Sequence, residues 1–383
     1  MRQYITYKKH LFENSLADIK TFCANNGLEG TEVFFDDIVP RTNKLFSNNS
    51  EKNILINTLA ELQVKRLHCS YWAYPTSFLT KTHFTELIER FGSIDKVREY
   101  YGDLTGKHIW ERWNQEYEVA TTMNMQAYVF HLIDYAPIDG EWKFNIPISE
   151  IKQAMIYMIQ QFIINLFEND LITETSPIIE IENAGWGLEY GTQSKFDFIE
   201  LYNQLYDPLK KIKIGWDINH ILHAIGKREN SDMTYFMLPD DEKTTEMLDL
   251  ENEYGQEQNK FAYNWVALNI LAPELVDKTS AIHLSDCKLK DFEYFIGGKL
   301  KPPYSEEMNK LSCWEDKEEY GVNIVLTHYD SHVPLQTGVL LRSDIRCLFN
   351  EILKGNKDFV VLHELKNSES IQDDLKKQIS LID

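Results

Sequence analysis

Residues 177–217, PIIEIENAGWGLEYGTQSKFDFIELYNQLYDPLKKIKIGWD, carry the pattern that decides the fold. An Ile-rich run, PIIEIE (177–182), leads into a helical pattern, KFDFIELYNQLY, and then into a second β-rich run, KIKIGWD (211–217). A short continuous apolar strand, a helix and another such strand read as one β-α-β unit of a parallel sheet buried on both faces. The same alternation extends outward in both directions. QYITYK (3–8), TEVFFD (31–36), KRLHCSY (65–71) and AYVFHLI (127–133) precede the quoted stretch, and SAIHLSD (280–286) and DFVVLHE (358–364) follow it. Helical patterns such as NSLADIKTFCANNGL, EKNILINTLAELQ, HFTELIERF and SEIKQAMIYMIQQFIINLFEND lie between most of them. Eight strands alternating with helices predict an α/β protein, a single (β/α)8 TIM barrel. The surplus sequence falls after particular strands, at about 75–125, 221–279 and 288–357. Loops after barrel strands lie on the catalytic face. These insertions are therefore expected to decorate the active site of one domain spanning residues 1–383.

Composition narrows the function classes. The chain has 383 residues, 43% hydrophobic and 26% charged, as a globular protein does. Its 39 basic and 60 acidic residues give a formal charge of −21, which argues against whole-molecule attraction to DNA or anionic membranes. Cys23, Cys69, Cys287, Cys313 and Cys347 are scattered without CxxC spacing and read as reduced thiols. The N-terminus, MRQYITYKKHLFENS, is too polar for a signal peptide. The longest apolar stretch, Ile151 to Phe167, carries Lys152, Gln153, Gln160, Gln161 and Asn165, so it reads as a buried helix rather than a membrane span. A cytoplasmic enzyme is expected, with homo-oligomerisation left open.

The strand ends hold the chemistry. They supply His131, Glu182, Asp217 with His220, His283 with Asp286, and Glu364, while Asp330 and His332 lie in the loop before the last strand. One carboxylate or imidazole at a strand end is usually a hydrogen-bonded rim residue. Such residues at successive strand ends converge on one barrel mouth, and His, Asp and Glu are the ligand set for Zn²⁺, Mn²⁺, Co²⁺ or Mg²⁺.

These segments resemble the xylose-isomerase-like TIM-barrel superfamily, and especially its endonuclease IV branch. The resemblance rests on VFHL (129–132), EIENAGWG (180–187), DINH (217–220), IHLSDCK (282–288), DSHVPLQTG (330–338) and VLHE (361–364), in the family's order. It implies one to three divalent ions. The first would use His131 and Glu182, the second Glu182, Asp217, His283 and Glu364, and the third His220, Asp330 and His332, with Glu182 bridging the first two. The family's first metal also takes a His from the third strand. Matching the family's next Tyr to Tyr74 puts Tyr71 at that place and leaves His68 three residues too early. The first set is then incomplete. The second is complete, and it is also the set used by the superfamily's single-metal sugar isomerases and epimerases.

The expected function is therefore an isomerase or epimerase of a small sugar-like substrate. Glu182 and Glu364 would move the proton as well as ligate, and His220 would orient the substrate. Trp72, Trp186 and Trp216 adjoin the motifs, and each reads first as rim packing. The alternative is an abasic-site endonuclease with a multinuclear zinc site, which would explain Asp330 and His332. Against a nucleic-acid partner stands Glu229–Lys260, with ten acids and two bases. A third reading is a multinuclear iron oxygenase acting on a peptide, with iron the less expected metal. His223 and His363 read as supporting or packing residues. Asp286 is left open between a structural and a functional role.

Overall fold

In a computed structural model of the chain, the described residues are 1–8, 12, 19–39, 44–70, 78, 87–88, 92–134, 137–138, 141–142, 148–183, 190–192, 194–224, 245–254, 257–288, 332–335, 337–366, 368 and 370–382. Eight parallel strands close a barrel: β1 (Gln3–Tyr7), β2 (Gly30–Phe34), β3 (Val64–His68), β4 (Ala127–His131), β5 (Ile178–Glu182), β6 (Ile212–Asp217), β7 (Thr279–Leu284) and β8 (Val360–His363). Each strand pairs with its sequence neighbours, and β1 pairs with β8 to close the ring. The eight expected strands are all present. The main difference lies in β3, which ends at His68 rather than running on to residue 71.

The helices follow from ordinary local signals. The Asn48 side chain accepts from the Glu51 backbone N–H and starts α2 (Asn49–Glu61), the helix after α1 (Ile19–Asn25). Ser93 caps α3 (Ile94–Tyr101) in the same way, ahead of α4 (Lys107–Thr122). Ser194 and Asp197 form a capping box at the start of α6 (Lys195–Gln204). The long apolar stretch forms α5 (Ile148–Glu168), and here the expectation of a buried helix needs correction. Met155, Met158, Ile159 and Phe162 are buried, whereas Tyr157, Ile164 and Phe167 are exposed, so α5 is an amphipathic wall helix. No described helix is long and apolar enough to cross a membrane.

The outer core lies between strands and helices. Trp113, Trp216 and Trp265 are fully buried in it, and Trp216 donates to Thr279 Oγ1 at 3.2 Å. Trp216 is thus a packing residue, as read, while Trp72 and Trp186 lie outside the described residues. Inside the barrel, a polar layer lies two residues before several strand ends. Arg66 Nε donates to Glu32 Oε2 at 3.0 Å, and its Nη2 pairs with Glu180. Ser280 Oγ also donates to Glu180. All three charged side chains are buried. They persist there because each charge has an oppositely charged, hydrogen-bonded partner.

Candidate metal centre

Every barrel strand delivers one side chain to the carboxyl-end mouth, at or beside its last residue. In order they are Lys8, Phe34, His68, His131, Glu182, Asp217, His283 and Glu364. Two more come from beyond the strands. His220 sits in the first turn of α7 (Ile218–Ala224), and His332 lies on the segment that returns toward α8 (Arg342–Gly355). His332 has φ +37°, a left-handed conformation that is rare for a non-glycine residue and typical of ligand clamps.

These residues form three linked clusters whose ligand atoms lie within 4.8 Å of one another: His68, His131 and Glu182; Glu182, Asp217, His283 and Glu364; and Asp217, His220 and His332. Glu182 joins the first to the second. Its Oε2 lies 3.4 Å from His131 Nε2 and 3.6 Å from His68 Nε2, and its Oε1 lies 3.5 Å from His220 Nδ1 and 3.6 Å from His283 Nδ1. Asp217 joins the second to the third, with Oδ2 3.7 Å from His332 Nδ1. A fourth acidic group, Glu32 and Glu180 with His283, is committed to Arg66 and reads as an ion-pair network.

The supporting contacts orient these ligands. Asn183 Oδ1 accepts from the Asp217 backbone N–H at 2.6 Å, and Asp217 Oδ1 accepts from the His220 N–H at 2.9 Å. His68 Nδ1 lies 3.2 Å from the Cys69 carbonyl, and its ring stacks on Phe34 at 3.8 Å. Donation to that carbonyl turns the Nε2 lone pair toward Glu182, the arrangement by which metal-binding imidazoles are held. His68 Nε2, Glu182 Oε2 and Asp217 Oδ2 are buried with no hydrogen-bond partner among the described residues. Buried polar atoms in that state are costly. Hard or borderline cations, one in the first cluster and one at Asp217, would satisfy these atoms, so the donor sets fit divalent metal.

The electrostatics agree. Burial pushes His68 down to about 3 and His131 well below the usual imidazole range, so both are neutral, as ligands must be. Burial pushes Glu182 up to about 8. Burial also opposes charge on His283, but the Glu182 and Glu32 carboxylates outweigh it and hold His283 well above its ordinary value. A divalent cation among the same carboxylates would take over the role of that proton. Glu364 is held well below the carboxylate range. Burial works against this, but Lys8 and Lys366 prevail.

Most of the residues expected at the site are brought together: His131, Glu182, Asp217, His220, His283, His332 and Glu364. Asp330 and Tyr71 lie outside the described residues. His68, read from the sequence as three residues too early for the first set, lies with His131 and Glu182. The signal for it was the two-residue period of β3: Arg66 and His68 share a face, as Glu180 and Glu182 do. Lys8 and Lys366 were also missed, because a single Lys after a strand has no distinctive pattern.

Asp286 proves structural. Its Oδ1 accepts from the Cys287, Val339 and Leu340 backbone N–H groups at 2.8–3.2 Å, and it forms a bridge with Val333. It thereby pins the segment that carries His332. His363 is structural too, with Nε2 2.8 Å from Gln3 Oε1 and Nδ1 3.2 Å from Gln378 Nε2.

No protein-family model matches the chain, and no curated protein matches it. Among solved structures it is similar to a D-tagatose 3-epimerase-like protein, with 12% identity over 100% of this chain and 98% of that chain and a TM-score of 0.52. It is similar to a xylose isomerase candidate from Rhodospirillum rubrum, with 10% identity over 100% and 98% and a TM-score of 0.52. It is also similar to endonuclease IV from Thermus thermophilus, with 14% identity over 100% and 99% and a TM-score of 0.46. These likenesses show the fold, a closed eight-stranded (β/α)8 barrel.

Proposed function

We propose that the chain is a divalent-metal enzyme with a multinuclear centre, and that it hydrolyses a phosphate ester. The observation that carries this reading is His68. By completing a cluster with His131 and Glu182, it removes the main ground for preferring a single-metal site. Three clusters that share Glu182 and Asp217 make a site for more than one ion, beyond the single four-ligand ion that a sugar isomerase needs. Divalent ions, when bound, supply an acidified water and neutralise charge that builds on a phosphate. The protein's own part is positional. Asn183 fixes Asp217 and Asp217 fixes His220, while Glu182 faces four imidazoles. The charge of −21 favours a small ester over a nucleic-acid duplex.

One observation favours a second reading, an isomerase or epimerase of a small sugar. The two carboxylates expected to shuttle a proton, Glu182 and Glu364, are pushed in opposite directions, up and well down. Such splitting is how one site holds an acid and a base together. Elemental analysis of protein purified without added metal, followed by assays on nitrophenyl phosphate esters and a sugar panel, decides between them. Two or three Zn or Mn per chain with ester hydrolysis is expected, and His68→Ala should bind one ion fewer. One ion per chain with sugar turnover would replace the hydrolase reading with the isomerase. Iron in several equivalents would replace it with oxygenase chemistry on a peptide.

A further inference from the structure

Helix α4 carries a buried carboxylate that belongs to none of the metal clusters. Glu116 is fully buried, and four donors converge on its two oxygens. Ser70 donates through its backbone N–H to Oε2 at 3.1 Å and through its hydroxyl to Oε1. Arg112 Nε donates to Oε1 at 2.8 Å, and the Tyr128 hydroxyl donates to Oε2 at 2.8 Å. Trp113, on the same helix, donates from Nε1 to the Ser70 carbonyl at 2.8 Å. The Ser70 N–H belongs to the Cys69–Ser70 peptide, and the carbonyl of that same peptide lies 3.2 Å from His68 Nδ1. The peptide is trans, hence planar, with its N–H and C=O pointing opposite ways. One rigid unit therefore meets Glu116 on one edge and the His68 ring on the other. The Cys69 N–H donates to the Val129 carbonyl at 2.9 Å, which keeps this stretch on β4, the strand that holds Tyr128 and ends at His131. A buried ion pair is costly, and well-packed apolar side chains would hold a helix to a barrel as firmly. Packing does not account for the charge on Glu116, whereas orientation of the peptide does.

We propose that Glu116 is a positioning residue for the first metal cluster: it fixes the Cys69–Ser70 peptide, whose carbonyl sets the ring of His68. The inference rests on the reading of His68 as a metal ligand in a multinuclear centre. With Nδ1–H donated to that carbonyl, Nε2 presents its lone pair to the cluster, 3.6 Å from Glu182 Oε2. The Phe34 ring, stacked at 3.8 Å, restrains the plane of the imidazole but does not decide which nitrogen carries the proton. The peptide carbonyl does. Through Tyr128 the same carboxylate also braces β4, and the His68 and His131 rings lie 4.8 Å apart. Glu116 thus acts through the backbone rather than on the metal. Supports of this kind are typically worth about 10–100-fold in metal affinity.

The test is calorimetric titration of zinc into the metal-free full chain, with zinc per chain counted, for the wild type, Glu116→Gln and His68→Ala. In Glu116→Gln an amino group replaces one oxygen, so a donor faces either Arg112 Nε or the Ser70 N–H. The variant should hold the other ions as the wild type does, and bind the ion that His68→Ala loses about 10-fold or more weakly. A purely structural role would lower the melting midpoint and leave every zinc affinity unchanged, and that result overturns the proposal. Equal weakening of all the ions would also overturn it, because the effect would then be general. Should Glu116→Gln fail to fold, the imidazole nitrogen NMR shifts of the zinc-loaded wild type serve instead. A proton on His68 Nδ1 is expected, and a proton on Nε2 overturns the relay. Full zinc content in His68→Ala would sink the multinuclear reading and the proposal together. Loss of an ion in His68→Ala with unchanged affinities in Glu116→Gln would sink the positioning role alone.

Discussion

Glu182 carries the heaviest load of any single side chain. Its two oxygens face four imidazoles, and burial lifts its carboxyl to about 8. In the folded, metal-free protein it therefore keeps its proton through a range in which the unfolded chain has lost it. The native state binds more protons than the unfolded state between about pH 4.3 and pH 8, so this group's contribution falls as pH rises through that window. Glu182→Gln mimics the protonated form and should remove the fall. Urea unfolding of metal-free wild type and variant at pH 5 and pH 9 checks this. The stability of the wild type relative to the variant should drop toward pH 9, and a constant difference would mean that Glu182 ionises normally. At this scale the sequence was legible wherever a clustered carboxylate lay at or just past a strand end in a motif, as Glu182, Asp217 and Glu364 do. It misled at His68, where spacing to a Tyr outweighed the strand's own alternation.

At the scale of elements, all eight strands could be read because continuous apolar runs bounded by helices have few other interpretations. Long-range loop contacts could not be read in this way. The Asp286 carboxylate gathers three backbone N–H groups from β7's exit and from residues 339–340, and Gly338 makes room for it. A Cβ on Gly338 would lie 2.5 Å from Asp286 Cγ, with the Cys287 carbonyl closer still. Gly338→Ala should therefore push this clamp apart, at a cost of about 1–3 kcal/mol typical of overpacking. Thermal melting measures the cost. Hydrogen exchange should show Val339 and Leu340 amides losing protection, and retained protection would mean that the clamp tolerates the methyl group. Asp286 and Gly338 were each visible as motif members, but nothing in their 52-residue separation announces that they touch.

At the scale of the whole molecule, the electrostatics of the mouth are concentrated and opposed. Glu182, Asp217 and Glu364 meet within one cluster inside a chain whose formal charge is already −21. Bound cations should relieve that crowding and stabilise the fold, by about 2.7 kcal/mol per site when free ion stands at 100 times Kd. Melting before and after chelation, with Zn²⁺ and Mn²⁺ restored in turn, should show a higher midpoint in the loaded protein. An unchanged midpoint would argue that the clusters hold no ion. The barrel was evident from the order of apolar runs and helical patterns along the chain. The buried Glu32–Arg66–Glu180 layer was not, because charged residues inside apolar strands look like surface positions until their partners are known.

The pairing of β1 with β8 has a consequence for biosynthesis. Lys8 is synthesised 356 residues before Glu364, yet both meet Lys366 beside one seam. Until that seam zips, the nascent chain exposes the β1 edge as an unpaired template for foreign strands. Closure of the ring also first brings Glu364 to Glu182, Asp217 and His283, so a premature stop before β8 would yield a sticky fragment that lacks this cluster.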